Sequence, residues 1–97
     1  MIRIKYDPEE LILKLSGHAG SAPKGQDLVC AAVSALFGAL QLSEDIAVAK
    51  NDDGSFTAVN ICAGGMNAFR LIAHTLEQLS RQYPEYISYE TDAPSRG

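Results

Sequence analysis

Apolar and polar residues alternate at the start of the chain, with Ile2, Ile4 and Tyr6 set against Arg3 and Lys5. This is the period-two pattern of a strand with one buried face. Asp7-Pro8-Glu9-Glu10 reads as a turn, with proline where a type I turn accepts it best. Alternation resumes with Leu11, Leu13 and Leu15, giving a hairpin whose second strand runs directly into Gly17-His18. A loop is expected from Gly20 to Gln26. The period then changes: Val29, Val33, Leu36, Phe37 and Leu40 recur at helical spacing and predict a helix from about Leu28 to Leu42. Ile46 to Asn51 and Ser55 to Cys62 read as two further strands around the strong turn signal Asn51-Asp52-Asp53-Gly54. After the Ala63-Gly64-Gly65 link, Asn67 is expected to cap a second helix over Ala68 to Gln82. Its stripe is Phe69, Ile72, Ala73, Leu76, Leu79 and Tyr83, and Pro84 stops it. Tyr86 to Glu90 is a short last strand, and Thr91 to Gly97 are expected to fray. The order ββα-ββα-β predicts an α+β fold, a single small domain with a mixed β-sheet packed by two helices.

Composition narrows the function without naming it. Ninety-seven residues with 46% hydrophobic and 21% charged content suit one globular domain. The chain start lacks the basic-then-apolar layout of a signal peptide, and no apolar run is long enough to span a bilayer, so a cytoplasmic protein without membrane contact is expected. A net charge of −4 argues against a broad nucleic-acid surface, so no direct nucleic-acid partner is expected. It suits a cationic protein partner. Cys30 and Cys62 are widely separated and form no CxxC pair, which favours two free thiols.

The candidate chemistry lies between His18 and Ser34. With Asp27 as helix cap, Cys30 becomes the third helical residue, where first-turn amides and the helix dipole favour a thiolate. Asp27, Cys30 and Ser34 follow an i, i+3, i+7 spacing and share one helix face, away from the core stripe. His18 would be the general base for such a nucleophile. Asp27 can cap the helix, orient His18 or support its charge, and Ser34 can orient the thiol, donate to the substrate or simply permit close packing. Gly17, Gly20 and Gly25 would let a substrate loop fold over a ligand, the whole of Gly17 to Gln26 ordering only when a peptide binds. The bland alternative is an ordinary buried helical cysteine. Lys24 and His74 read as solvated and Cys62 as structural. A zinc site from His18, Asp27, Cys30 and Cys62 would lack any paired-ligand spacing, so no metal or cofactor is expected.

The ordered block Gly17-His18-Ala19-Gly20, Gly25 and Asp27-Leu28-Val29-Cys30-Ala31-Ala32-Val33-Ser34 resembles the ribosomal-processing cysteine proteases, the Prp family. The spacing from His18 to Cys30 matches the family's. The resemblance implies a cysteine endopeptidase with a Cys30–His18 dyad, in which Asp27 is functionally important. It also implies a substrate: the precursor of a large-subunit ribosomal protein, from which a short N-terminal extension is removed after an aromatic residue. Family members are homodimers, and Phe37 or Phe69 is expected to offer the apolar patch. The stretch Ser21-Ala22-Pro23-Lys24 carries no aromatic residue, unlike many relatives, which leaves a paralogous protease with another peptide substrate as one alternative. The other is a non-catalytic acidic adaptor for a basic ribosomal protein.

Overall fold

The computed structural model describes residues 1–17 and 24–91. Five strands and two helices follow in the expected order: β1 (Ile2–Asp7), β2 (Ile12–Ser16), α1 (Lys24–Ala39), β3 (Ile46–Lys50), β4 (Phe56–Asn60), α2 (Met66–Gln82) and β5 (Ile87–Thr91). The α+β reading with a mixed sheet therefore holds. A 3-10 turn over Leu40–Leu42 prolongs α1, and another over Ala63–Gly65 leads into α2.

Both hairpins form as the alternation predicts, β1 with β2 and β3 with β4. Asp7 Oδ1 accepts from the Glu9 and Glu10 amides at 3.0 and 3.1 Å, which braces the first turn. Leu11 closes that turn with φ +53°, a conformation disfavoured for leucine. Its side chain is buried in the core, which offsets the strain. The sheet order is β3-β4-β2-β1-β5, so the hairpins join through β2 and β4, and β5 returns to lie parallel to β1.

The two helices cover one face of this sheet. Ile2, Ile4, Tyr6, Leu13, Ala58 and Ile87 meet Val29, Val33, Phe37, Phe69, Ala73 and Leu76 in a single core. Three expectations are corrected here. Phe37 and Phe69 are buried (4% and 0% exposed) and cannot form a surface patch, because each lies on the core-facing stripe of its helix. Asn67 is not a cap: α2 begins at Met66 with Gly65 in the cap position and no side-chain cap bond. Helix α1 starts at Lys24, four residues earlier than the apolar stripe indicated. A proline immediately before a helix loses no needed N–H, and an aspartate in the first turn suits the helix dipole. Gly25 is thus helical rather than part of the substrate loop, and Asp27 is the fourth helical residue rather than the cap.

Gly17 is held by its conformation and by its surroundings. Its φ is +85°, and a Cβ there would collide with the Met1 carbonyl oxygen on the neighbouring strand. The chain leaves the sheet at this point, immediately before His18.

Candidate active site

Helix α1 is unusual in carrying no charged residue from Leu28 to Ser43. Its apolar residues therefore divide among several faces. Val29, Val33 and Phe37 enter the core, while Leu28, Ala31, Ala35 and Ala39 face outward and are exposed. Between these faces runs a third edge bearing Cys30, Ser34 and Gln41. Cys30 is half-buried and packs against the margin of the core as a free thiol. Ser34, one turn later, is exposed. The spacing set Asp27, Cys30 and Ser34 on one face off the core stripe; in the fold Ser34 is exposed, while Cys30 packs against the margin of the core.

The earlier helix start changes the argument for Cys30. It is the seventh helical residue, in the second turn, and its own amide is committed to an intrahelical bond. The uncommitted amides belong to the turn before it, which includes Asp27. Dipole effects fall away beyond the first turn, so the stabilisation expected of a third-position thiolate does not apply at Cys30 itself. Helical side chains lean toward the N-terminus, which directs the residue at position 30 back over that first turn.

Beyond Ser34 the edge opens into a groove of about 170 Å³ lined by Leu15, Ser34, Phe37, Gly38, Gln41 and Phe56. Leu15 of β2 and Phe56 of β4 are register partners and form its sheet-side wall. The Phe37 and Phe56 rings meet at 6.2 Å between centroids and 59° between planes, and Lys50 Nζ lies 6.0 Å from the Phe56 centroid. Gly38 leaves the helix-side wall low, since a Cβ there would meet nothing within 4 Å. Apolar cavities of about 150 Å³ accept a benzene ring, so this groove has the size and chemistry for one aromatic side chain. Leu15, Gly38, Gln41 and Phe56 were not legible as site residues, because they come from three separated segments. Only the alternation that turned Leu15 inward was visible.

Gly17 follows the last residue of β2, so His18 comes in sequence after the strand that supplies Leu15. His18 and Gly20 themselves lie outside the described residues, as does the expected substrate loop up to residue 23. The end of that expected loop, residues 24–26, is helical. Cys62 is exposed at the start of the second 3-10 turn, and His74 is exposed on α2 with its Nδ1 3.8 Å from Glu77. Among the described residues no helix is long and apolar enough to cross a membrane.

Comparison with known proteins identifies the family and the fold. The sequence profile of the family described as cysteine protease Prp matches residues 1–88. A ribosomal processing cysteine protease Prp from Mycoplasma pneumoniae is 37% identical over 84 residues, covering 80% of this chain and 84% of that one. Among solved structures, the fold matches an essential ribosomal processing protease Prp from S. aureus in complex with a substrate peptide, with a TM-score of 0.77 at 20% identity. That match covers 95% of this chain and all of the other. SMU.848 from Streptococcus mutans matches with a TM-score of 0.70 at 23% identity, over 96% and 93% of the two chains. With the profile matched over residues 1–88 and a 37% identical relative, on this fold and with Cys30 one turn from the groove-lining Ser34, the chain belongs to the Prp family of cysteine proteases.

Proposed function

We propose that residues 1–97 act as one cytoplasmic protease domain that cuts a peptide bond with a Cys30–His18 dyad. The Cys30 sulfur attacks the scissile carbonyl carbon, and His18 takes the thiol proton and passes it to the leaving amine. The resulting thioester is hydrolysed by water, returning the thiol. Asp27, one helical turn before Cys30, favours the protonated state of His18, and first-turn amides of α1 are the donors nearest a developing oxyanion. The observation that carries this reading is the half-buried Cys30 on the same edge of α1 as an apolar groove.

The groove takes the aromatic side chain preceding the scissile bond, and the substrate is the N-terminal extension of a large-subunit ribosomal protein precursor. Supporting this, a ribosomal protein is a basic partner for a chain of net charge −4. Mass spectrometry of such a precursor peptide tests it. Cleavage is expected directly after the aromatic residue, and alanine in its place should lower kcat/KM by roughly 10- to 100-fold, the value of burying one ring. Indifference to that substitution would remove the groove from recognition. In the same assay Asp27→Asn is expected to fold normally yet cleave slowly. A full rate would leave Asp27 with no role beyond the helix dipole.

The protease works as a homodimer joined through the outer face of α1. Leu28 of α1 and Leu42 of the 3-10 turn that prolongs it are 75% and 88% exposed, with Ala31, Ala35 and Ala39 between them. A helix face without charge is ordinarily covered. Sedimentation should give a dimer for the wild type and a monomer for Ala35→Glu. A monomeric wild type at micromolar concentration would refute this interface.

A further inference from the structure

β3 is an edge of the sheet, and it adjoins the groove. The groove takes its sheet-side wall from β2 and β4, and in the order β3-β4-β2-β1-β5 only β3 lies beyond that wall on one side. Sheet edges are ordinarily blunted by prolines, bulges or charges, because unpaired N–H and C=O groups recruit another strand. β3 has neither proline nor bulge: Ile46 to Lys50 pair one for one with Asn60 to Phe56. Ala47 and Ala49 are small and exposed. The single charge of the strand, Lys50, has its Nζ 6.0 Å from the centroid of its register partner Phe56, over the groove wall rather than across the edge.

Hydrogen-bond parity identifies the free groups. At one end of this hairpin the Ile61 N–H donates to the Asp45 carbonyl at 2.8 Å, and at the other the Asn51 N–H donates to the Ser55 carbonyl at 2.7 Å. Opposed residues of an antiparallel pair alternate between bonded and non-bonded, so Ala47 and Ala49 complete the bonded set with Val59 and Thr57. Ile46, Val48 and Lys50 therefore turn their backbone groups outward. The Ile46 N–H is taken by the Ser43 carbonyl at 3.3 Å, whereas among the described residues no such partner meets those of Val48 or Lys50. These two residues each present a donor and an acceptor, about 7 Å apart along the edge.

We propose that the substrate peptide adds to β3 as a further strand, through the residues that precede its aromatic side chain. The docking rests on the groove as the site of that aromatic ring. An extended peptide carries main-chain donors and acceptors that lose free energy when they are desolvated without partners. The groove supplies few: Leu15, Phe37, Gly38 and Phe56 are apolar, and only Ser34 and Gln41 bring polar side chains. The β3 edge supplies the missing partners one strand spacing, about 4.8 Å, beyond Phe56. It also lies on the correct flank of α1. Leu28 and Ala32 share a cleft with Leu79 and Tyr83 of α2, so the opposite flank, with Cys30, Ser34 and Gln41, looks toward β4 and β3. Main-chain pairing of this kind gives affinity, and alternate side chains add specificity. Peptide residues opposite Val48 and Lys50 turn their side chains to the helix side, beside Val48, which packs at the core margin.

Backbone N-methylation tests the docking on the wild-type enzyme. In a precursor peptide methylated in turn at each residue before the aromatic one, kcat/KM should fall roughly 3- to 10-fold at every second position, the value of one hydrogen bond, and change little in between. Val48→Pro removes the outward N–H of the edge and leaves the ladder to β4 intact, since proline is tolerated on an edge strand at such a position. Relative to a blocked single-residue aromatic ester, which has no preceding residues to pair, this variant should lose its preference for the long peptide by a similar factor. Circular dichroism establishes that it is folded, and if it is not, the methylation series decides alone. The proposal is overturned if methylation is tolerated throughout, if it slows cleavage equally at every position, or if folded Val48→Pro keeps the full preference. Cleavage that ignores the aromatic residue overturns the groove and this docking with it, whereas aromatic-dependent cleavage without the alternation overturns the docking alone.

Discussion

Cys30→Ala is expected to abolish proteolysis while leaving the fold in place. Removing a hydrolase nucleophile costs about 10⁴-fold or more in rate, because no other group replaces the covalent step. The structural cost should be small, about 1 kcal/mol or less, since Cys30 lies at the margin of the core and Val29, Val33 and Phe37 carry the helix packing. Unchanged circular dichroism with cleavage at background is the expected pair of results. Thiol labelling of the wild type adds an independent reading. Cys62 is exposed and Cys30 half-buried, so accessibility alone makes Cys62 alkylate first with iodoacetamide. A thiolate activated by His18 reverses that order. Residual wild-type-like cleavage by Cys30→Ala, or a Cys30 slower to react than Cys62, would leave the adaptor alternative standing.

Gly38→Leu is expected to close the groove without harming the fold. Glycine inside a helix is less favourable than alanine by roughly 0.5–1 kcal/mol, so any side chain that meets no obstruction should stabilise α1. A Cβ at position 38 meets nothing within 4 Å. Gly38→Ala should therefore raise the melting temperature and leave most of the activity. Gly38 lines the groove with Leu15, Ser34 and Phe56, so a leucine there is expected to fill the space assigned to the substrate's aromatic ring. Its kcat/KM should fall roughly 10- to 100-fold with little change in stability, the loss of one buried ring. Cys30 alkylation should stay at the wild-type rate, which separates a blocked groove from a damaged nucleophile. An active Gly38→Leu enzyme would mean that the peptide lies elsewhere on α1.

What the residues themselves determined is local. Alternation in Ile2-Arg3-Ile4-Lys5-Tyr6 and in the leucines of β2 defines which side chains turn inward, since a strand reverses direction at every residue. Helical spacing in α1 and α2 likewise identified their core stripes, apart from Tyr83, which is exposed past the end of α2, and it set Ser34 off the stripe of α1. Turn chemistry at Asp7-Pro8 and Asn51-Asp52-Asp53-Gly54 closed both hairpins. The His18–Cys30 block carried the family, because its spacing lies within one short segment.

Only the tertiary structure decided the rest. The start of α1 at Lys24 has no apolar signal, since Gly25, Gln26 and Asp27 precede the stripe, and that shift moved Cys30 into the second turn and ended the cap reading of Asp27. Packing of both helix stripes on the sheet buried Phe37 and Phe69, which the spacing had already set on those stripes, and so left neither to form the expected surface patch. The pairing of β2 with β4 brought Leu15 to Phe56, forty-one positions apart, and so made the groove wall. The central pairing of β1 with β2 brought Lys14 opposite Lys5, nine positions away. The physical reason is common to these cases. Local periodicity states which way a side chain faces within its own element, whereas the neighbours it finds depend on strand order and helix placement, which the packing of the whole core selects.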